Sequence, residues 1–71
     1  RLAATAHGRS GNLGMSALAL AEYNLLLGRN LDALRQAKKA QRLLQKNSPS
    51  WLRAQDIAGT AERARQKRTD R

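Results

Sequence analysis

Seventy-one residues, with 14 Lys and Arg against five Asp and Glu (net charge +9) and no Cys, make at most one small, strongly basic domain without disulfides or a thiolate metal site. A chain of this length buries only about 60% of the surface it exposes when unfolded, so its core is thin. The longest apolar runs, Ala17 to Ala21 and Leu25 to Leu27, fall far short of the roughly 20 residues that span a bilayer, and no membrane span is expected.

Phe is absent, the aromatics are Tyr23 and Trp51 alone, and Ala and Leu carry the apolar content. Those residues favour helices that pack closely, so an all-α chain is expected. The sequence opens at Arg1 with no pattern of a targeting segment. It reads as a piece of something longer.

Residues 1–14 are expected to hold the end of a preceding helix followed by a loop. Arg1 to His7 is Ala-rich and stops at Gly8. The next stretch, Gly8 to Gly14, carries three glycines in seven residues, a large backbone entropy cost for regular structure. Asn12 is then the expected cap of the following helix. The GRSG within this stretch matches the backbone clamp of KH domains, but the strands of that fold are not evident, and a plain inter-helix loop is the favoured reading. The spacing matches neither the dinucleotide fingerprint nor the P-loop. His7 has no companion at ligand spacing, which favours a surface position over a metal site.

Residues 15–47 read as a helical hairpin. Its first helix, Leu13 to Leu27, has Leu20, Ala21, Asn24 and Leu27 on one side and Met15, Leu18 and Leu25 on another, so it is apolar nearly all round and calls for neighbours on two sides. Ala17 and Ala21 permit close approach of another helix, and Tyr23 adds bulk with a polar tip. Gly28 is the expected stop and Asn30 the expected cap of the next helix. Three residues between two helices fold them back antiparallel.

The second helix, Leu31 to Gln45, is amphipathic, with Leu34, Ala37, Ala40, Gln41 and Leu44 at helical spacing and Ala33 also facing its partner. Arg35, Lys38, Lys39, Arg42 and Lys46 form a basic patch opposite, with Asp32 in the first turn, where the helix dipole favours a negative charge. The patch could bind phosphates. A solvated face is the favoured reading, because no aromatic side chains interleave it for base stacking.

Residues 48–71 read as a capping helix with a basic tail. Ser48 is the expected cap and Pro49 the first helical residue, where a missing N–H costs nothing. Trp51, Ala54, Ile57, Ala58, Ala61 and Ala64 mark the buried side, with Trp51 as an anchor over the hairpin. Gly59 weakens the middle, so the end beyond Arg65 is expected to fray. Six of the 14 basic residues lie from Arg53 onward, and a solvated end explains them more simply than a nucleic-acid footprint.

The stretch from Ala17 to about Ser50 resembles a tetratricopeptide repeat (TPR), a helical hairpin of about 34 residues with small residues at its helix crossings. Leu20 and Ala21 match the Leu-Gly/Ala pair of the repeat's first helix, Gly28 its turn, and Ala33 and Ala40 the small positions of its second. Leu25 and Leu43 fit neighbouring apolar positions. Asn24 departs from the usual Tyr, Ala37 from the usual aromatic, and Pro49 comes four residues late.

From Leu18 to Ile57 the chain also resembles the C-terminal repeat region of bacterial periplasmic zinc metalloproteases of the BepA type, with SPSWLRAQDI, Ser48 to Ile57, as the most distinctive element. That resemblance implies an all-α fold, a TPR-like antiparallel hairpin plus a third capping helix. It also implies a periplasmic setting, although a cytoplasmic one stays open, and a role in recruiting substrate or partner proteins to a protease domain. Position in the repeat places Leu18, Glu22, Leu25 and Leu26 nearest a bound peptide.

Protease chemistry of that family rests on HExxH, which this chain lacks, so no catalysis and no cofactor are expected in it. Zinc would belong to the absent protease domain. Glu22, Asp32, Asp56 and Glu62 are scattered beside basic neighbours, and no nucleophile and base converge by spacing. Glu22, acidic inside an apolar helix, could read a peptide. The favoured reading is an ion pair with Arg53 or Lys39.

A protein or peptide is thus the expected partner, with self-association left open because repeats seldom stand alone. The alternative is a basic helical nucleic-acid-binding domain using Arg35, Lys39, Arg42 and the Arg63 to Arg68 end.

Overall fold

A computed structural model describes residues 2–69, with side chains described from 12 to 67. Three α-helices follow one another: α1 (Leu2–Leu26), α2 (Asn30–Leu43) and α3 (Pro49–Thr69), with no strand among the described residues. The all-α expectation holds.

The turns follow from local chemistry. Gly28 has a φ of +79°, a left-handed conformation that glycine adopts without the steric penalty of a Cβ. The chain there closes α1 in a Schellman motif: the Arg29 N–H donates to the Asn24 carbonyl (2.8 Å) and the Gly28 N–H to the Leu25 carbonyl (3.1 Å). Asn30 is not the cap of α2 but its first residue. Arg29 occupies the cap position without a side-chain bond, because the Schellman closure already fixes its backbone. At the second turn Asn47 takes a φ of 67°, which Asn tolerates better than most residues. Ser48 then caps α3 as expected, its Oγ accepting the Trp51 N–H at 3.2 Å.

The expected loop at Gly8 to Gly14 is instead part of α1, which runs unbroken through it. Asn12 is accordingly inside the helix and caps nothing. Gly14 shows why glycine occurs there without a turn: a Cβ on it would lie 2.8 Å from Cγ and Cδ2 of Leu44 and 3.3 Å from Cβ of Leu43. Its missing side chain makes room for the end of α2. At the other terminus α3 is helical through Thr69. The side chains of His7 and Arg68 lie outside the described residues.

The core is built from small residues. One cluster joins Ala17, Leu18 and Ala21 of α1 to Ala37 and Ala40 of α2 and Ala54 and Ile57 of α3; a second joins Ala33, Leu34 and Ala61. Leu25 and Ala58 pack against both. The central α2 lies against both other helices, and α1 and α3 meet over a smaller area. Alanines at the crossings let helix backbones approach closely, so contact is made with little apolar bulk. Trp51 is half-buried and belongs to neither cluster, which corrects its expected role as an anchor. It sits in the first turn of α3, before Ala54 begins the packed stripe.

Candidate functional site

At 100° per residue, α1 from Leu13 onward divides into three faces. Gly14, Ala17, Leu18, Ala21 and Leu25 face the core. Met15, Ala19, Glu22 and Leu26 share a second face, on which Glu22 meets Arg53 of α3. Leu13, Ser16, Leu20, Tyr23 and Leu27 form an outer face away from both neighbours, and all five are exposed. Leu20 and Leu27, expected to pack, are therefore surface residues, as is Met15. The partner on the second side that this helix calls for is not supplied by α2 or α3.

The junction of α1 and α3 is fixed by a charged pair. Nε of Arg53 donates to Oε2 of Glu22, bridging 31 positions of sequence between α1 and α3. Glu22 thus meets Arg53 as the favoured reading had it, and not Lys39. The hydrogen bond and charge of Glu22, together with the more distant charge of Asp56, hold the Arg53 guanidinium above its ordinary pKa. Glu22 is spent on a pair, but Arg53 is largely exposed and keeps N–H donors pointing to solvent.

The four residues assigned to a peptide surface by position separate in the structure. Leu18 is 5% exposed and Leu25 is half-buried against both clusters, so both are core. Their positions lie 120° or more around the helix from the open side. Leu26 is 86% exposed and lies one turn beyond Glu22. Met15, 48% exposed, lies two turns before Glu22 on the same face, at a spacing readable from the sequence. Arg53 reaches Glu22 from another helix.

Arg35, Lys38, Lys39 and Arg42 lie exposed on the side of α2 opposite its buried alanines, whereas Lys46, expected on the same helix, is exposed in the turn that follows it, because α2 ends at Leu43. None of them pairs with a carboxylate among the described residues, where ion pairs join Arg53 to Glu22 and Arg65 to Glu62. Arg63 and Lys67 are exposed farther along α3. No group of three or more His, Cys, Asp or Glu that could hold a metal occurs among the described residues. No described helix is long and apolar enough to cross a membrane.

No protein-family model, no curated protein and no solved structure matches this chain.

Proposed function

We propose that the chain is a non-catalytic, TPR-like protein-interaction module whose binding surface is the junction of α1 and α3. The observation that supports this is the Glu22–Arg53 bridge with Leu26 standing 86% exposed beside it. An apolar anchor next to a partly satisfied guanidinium suits an extended peptide, Leu26 and Met15 taking an apolar side chain and Arg53 a carbonyl or carboxylate.

On this reading the parent is a zinc-dependent protease of the BepA type, acting in the periplasm, and the module recruits its substrate or partner proteins. The zinc and the HExxH chemistry belong to that parent and not to these residues. A remote binding surface of this kind acts by raising the local concentration of substrate at the protease site.

The test is a peptide array of apolar segments with and without an acidic residue, probed with the labelled chain. Binding that weakens at least about tenfold in Leu26→Glu and Arg53→Ala, roughly 1.4 kcal/mol each, supports the reading. Binding untouched by both substitutions removes it. Sequence upstream of Arg1 that contains no HExxH removes the protease parent.

A second reading, nucleic-acid binding, draws on four unpaired basic side chains along one face of α2, with Lys46 in the turn beyond it. It requires duplex binding whose log affinity falls with log salt at about −0.9 per neutralised phosphate. Binding that is weak and flat in salt discards it.

A further inference from the structure

The outer face of α1 is a second surface, independent of the junction with α3. Leu13, Leu20 and Leu27 repeat at seven residues with Ser16 and Tyr23 between them, the spacing of a coiled-coil seam. The three leucines and Tyr23 are each 47–58% exposed. From Ser10 to Gly28 the only charge is Glu22, which points to the other side and is paired. The strip is free of charge on a chain of net charge +9.

We propose that this strip is a self-association surface on which two copies of the chain pack α1 against α1, antiparallel, with Leu20 near the two-fold axis. The sequence of the strip is close to self-complementary about Leu20. Reversing it sets Leu13 of one copy against Leu27 of its partner, and the small Ser16 against the bulky Tyr23, so each layer holds similar volume. A parallel pair would set Tyr23 on Tyr23 and leave a gap at Ser16. A two-fold contact of this kind closes on itself and makes a dimer rather than a fibre.

Charge decides where two copies can meet. Two chains of +9 repel wherever their basic faces approach. The strip is where they can touch without bringing the α2 basic patch near its copy. Residues 13–27 span about 21 Å of helix, and covering their exposed side chains in both copies removes on the order of 800–1,000 Å² from water, the small end of specific interfaces. A reversible dimer is therefore expected, populated at micromolar to millimolar concentration.

Sedimentation of the full chain over that range tests the proposal, together with Leu20→Glu, which would set two carboxylates against each other at the axis. The expected result is a concentration-dependent dimer whose dissociation constant rises at least about tenfold in the variant, with helical content by circular dichroism unchanged. A chain monomeric throughout, or a dimer indifferent to Leu20→Glu, overturns it. Single cysteines read the direction, since the chain has none of its own. Leu20→Cys should oxidise to a linked pair, and Leu13→Cys should link to Leu27→Cys but not to itself. Self-linking of Leu13→Cys as fast as Leu20→Cys overturns the antiparallel arrangement.

Discussion

Gly14 and Leu44 lie so close that a methyl group on the glycine would come within 2.8 Å of the leucine Cγ. The end of α2 is seated on bare backbone of α1, and the contact exists only because the side chain is missing.

Gly14→Ala therefore sets two effects against each other. Alanine gains up to about 1 kcal/mol of helix propensity, while forcing a well-packed contact apart costs about 1–3 kcal/mol. Leu44 is half-buried and packed against the core cluster, so the clash dominates and a net loss of about 1–2 kcal/mol is expected from urea unfolding. Gly59→Ala should have the opposite sign. Its added Cβ meets only the Nη1 of Arg63 at 3.4 Å, the far end of a flexible side chain, so about 0.5–1 kcal/mol of stabilisation is expected. Equal signs for the two variants would show that propensity, not space, decides at Gly14.

Gln36 carries a buried Oε1 with no hydrogen-bond partner among the described residues. An unsatisfied buried acceptor costs about 1–3 kcal/mol. Gln36→Met, similar in shape and without that acceptor, should raise the denaturant midpoint by about 1 kcal/mol equivalent. A lower midpoint would mean that the amide holds a bond in solution.

Ser48 supplies the side-chain oxygen that receives the Trp51 N–H. Ser48→Ala should cost about 1 kcal/mol and Ser48→Asp almost nothing, since aspartate caps equally well. The midpoint of thermal unfolding separates the two.

The Glu22–Arg53 pair fixes register more than it adds stability, because Arg53 is largely exposed. In a double-mutant cycle of Glu22→Gln and Arg53→Met, the coupling should be small at low salt and vanish near about 1 M, where the screening length falls to about 3 Å. For Arg53 the pH sign is fixed by its raised pKa. The stabilisation it gains is fully present below the ordinary arginine value and lost only as pH climbs through the higher folded value. The unfolding free energy of the unsubstituted chain should thus show no Arg53-linked step anywhere in the neutral range, the same there as in Glu22→Gln.

Punctuation was the most legible part of this fold. Gly28 ended α1 and Ser48 with Pro49 began α3 where their chemistry required, because a left-handed turn and a capped first turn are decided by a few neighbouring atoms. Periodicity placed Ala33, Ala37 and Ala40 of α2 correctly for the same local reason. The glycines at 8, 11 and 14 misled because the propensity cost of Gly14 is offset by a contact 30 residues away, which no window of sequence contains. Leu18 and Leu25 were assigned to an open surface by their position in a repeat, yet helix rotation turns them inward. Glu22 with Arg53 was foreseeable as a pairing of charges, and Leu26 one turn beyond Glu22 by its i, i+4 spacing, whereas choosing Arg53 over Lys39 needed the relative position of α1 and α3.

The separation of charge along the chain has a mechanical consequence. With α1 almost neutral from Ser10 to Gly28 and four unpaired cations on α2 followed by Lys46 in the next turn, an external field turns the molecule as well as pulling it. Near any polyanionic surface that torque presents α2 and holds the outer leucines of α1 toward bulk water. Adsorption and orientation are then a single event, and adding salt relaxes both together.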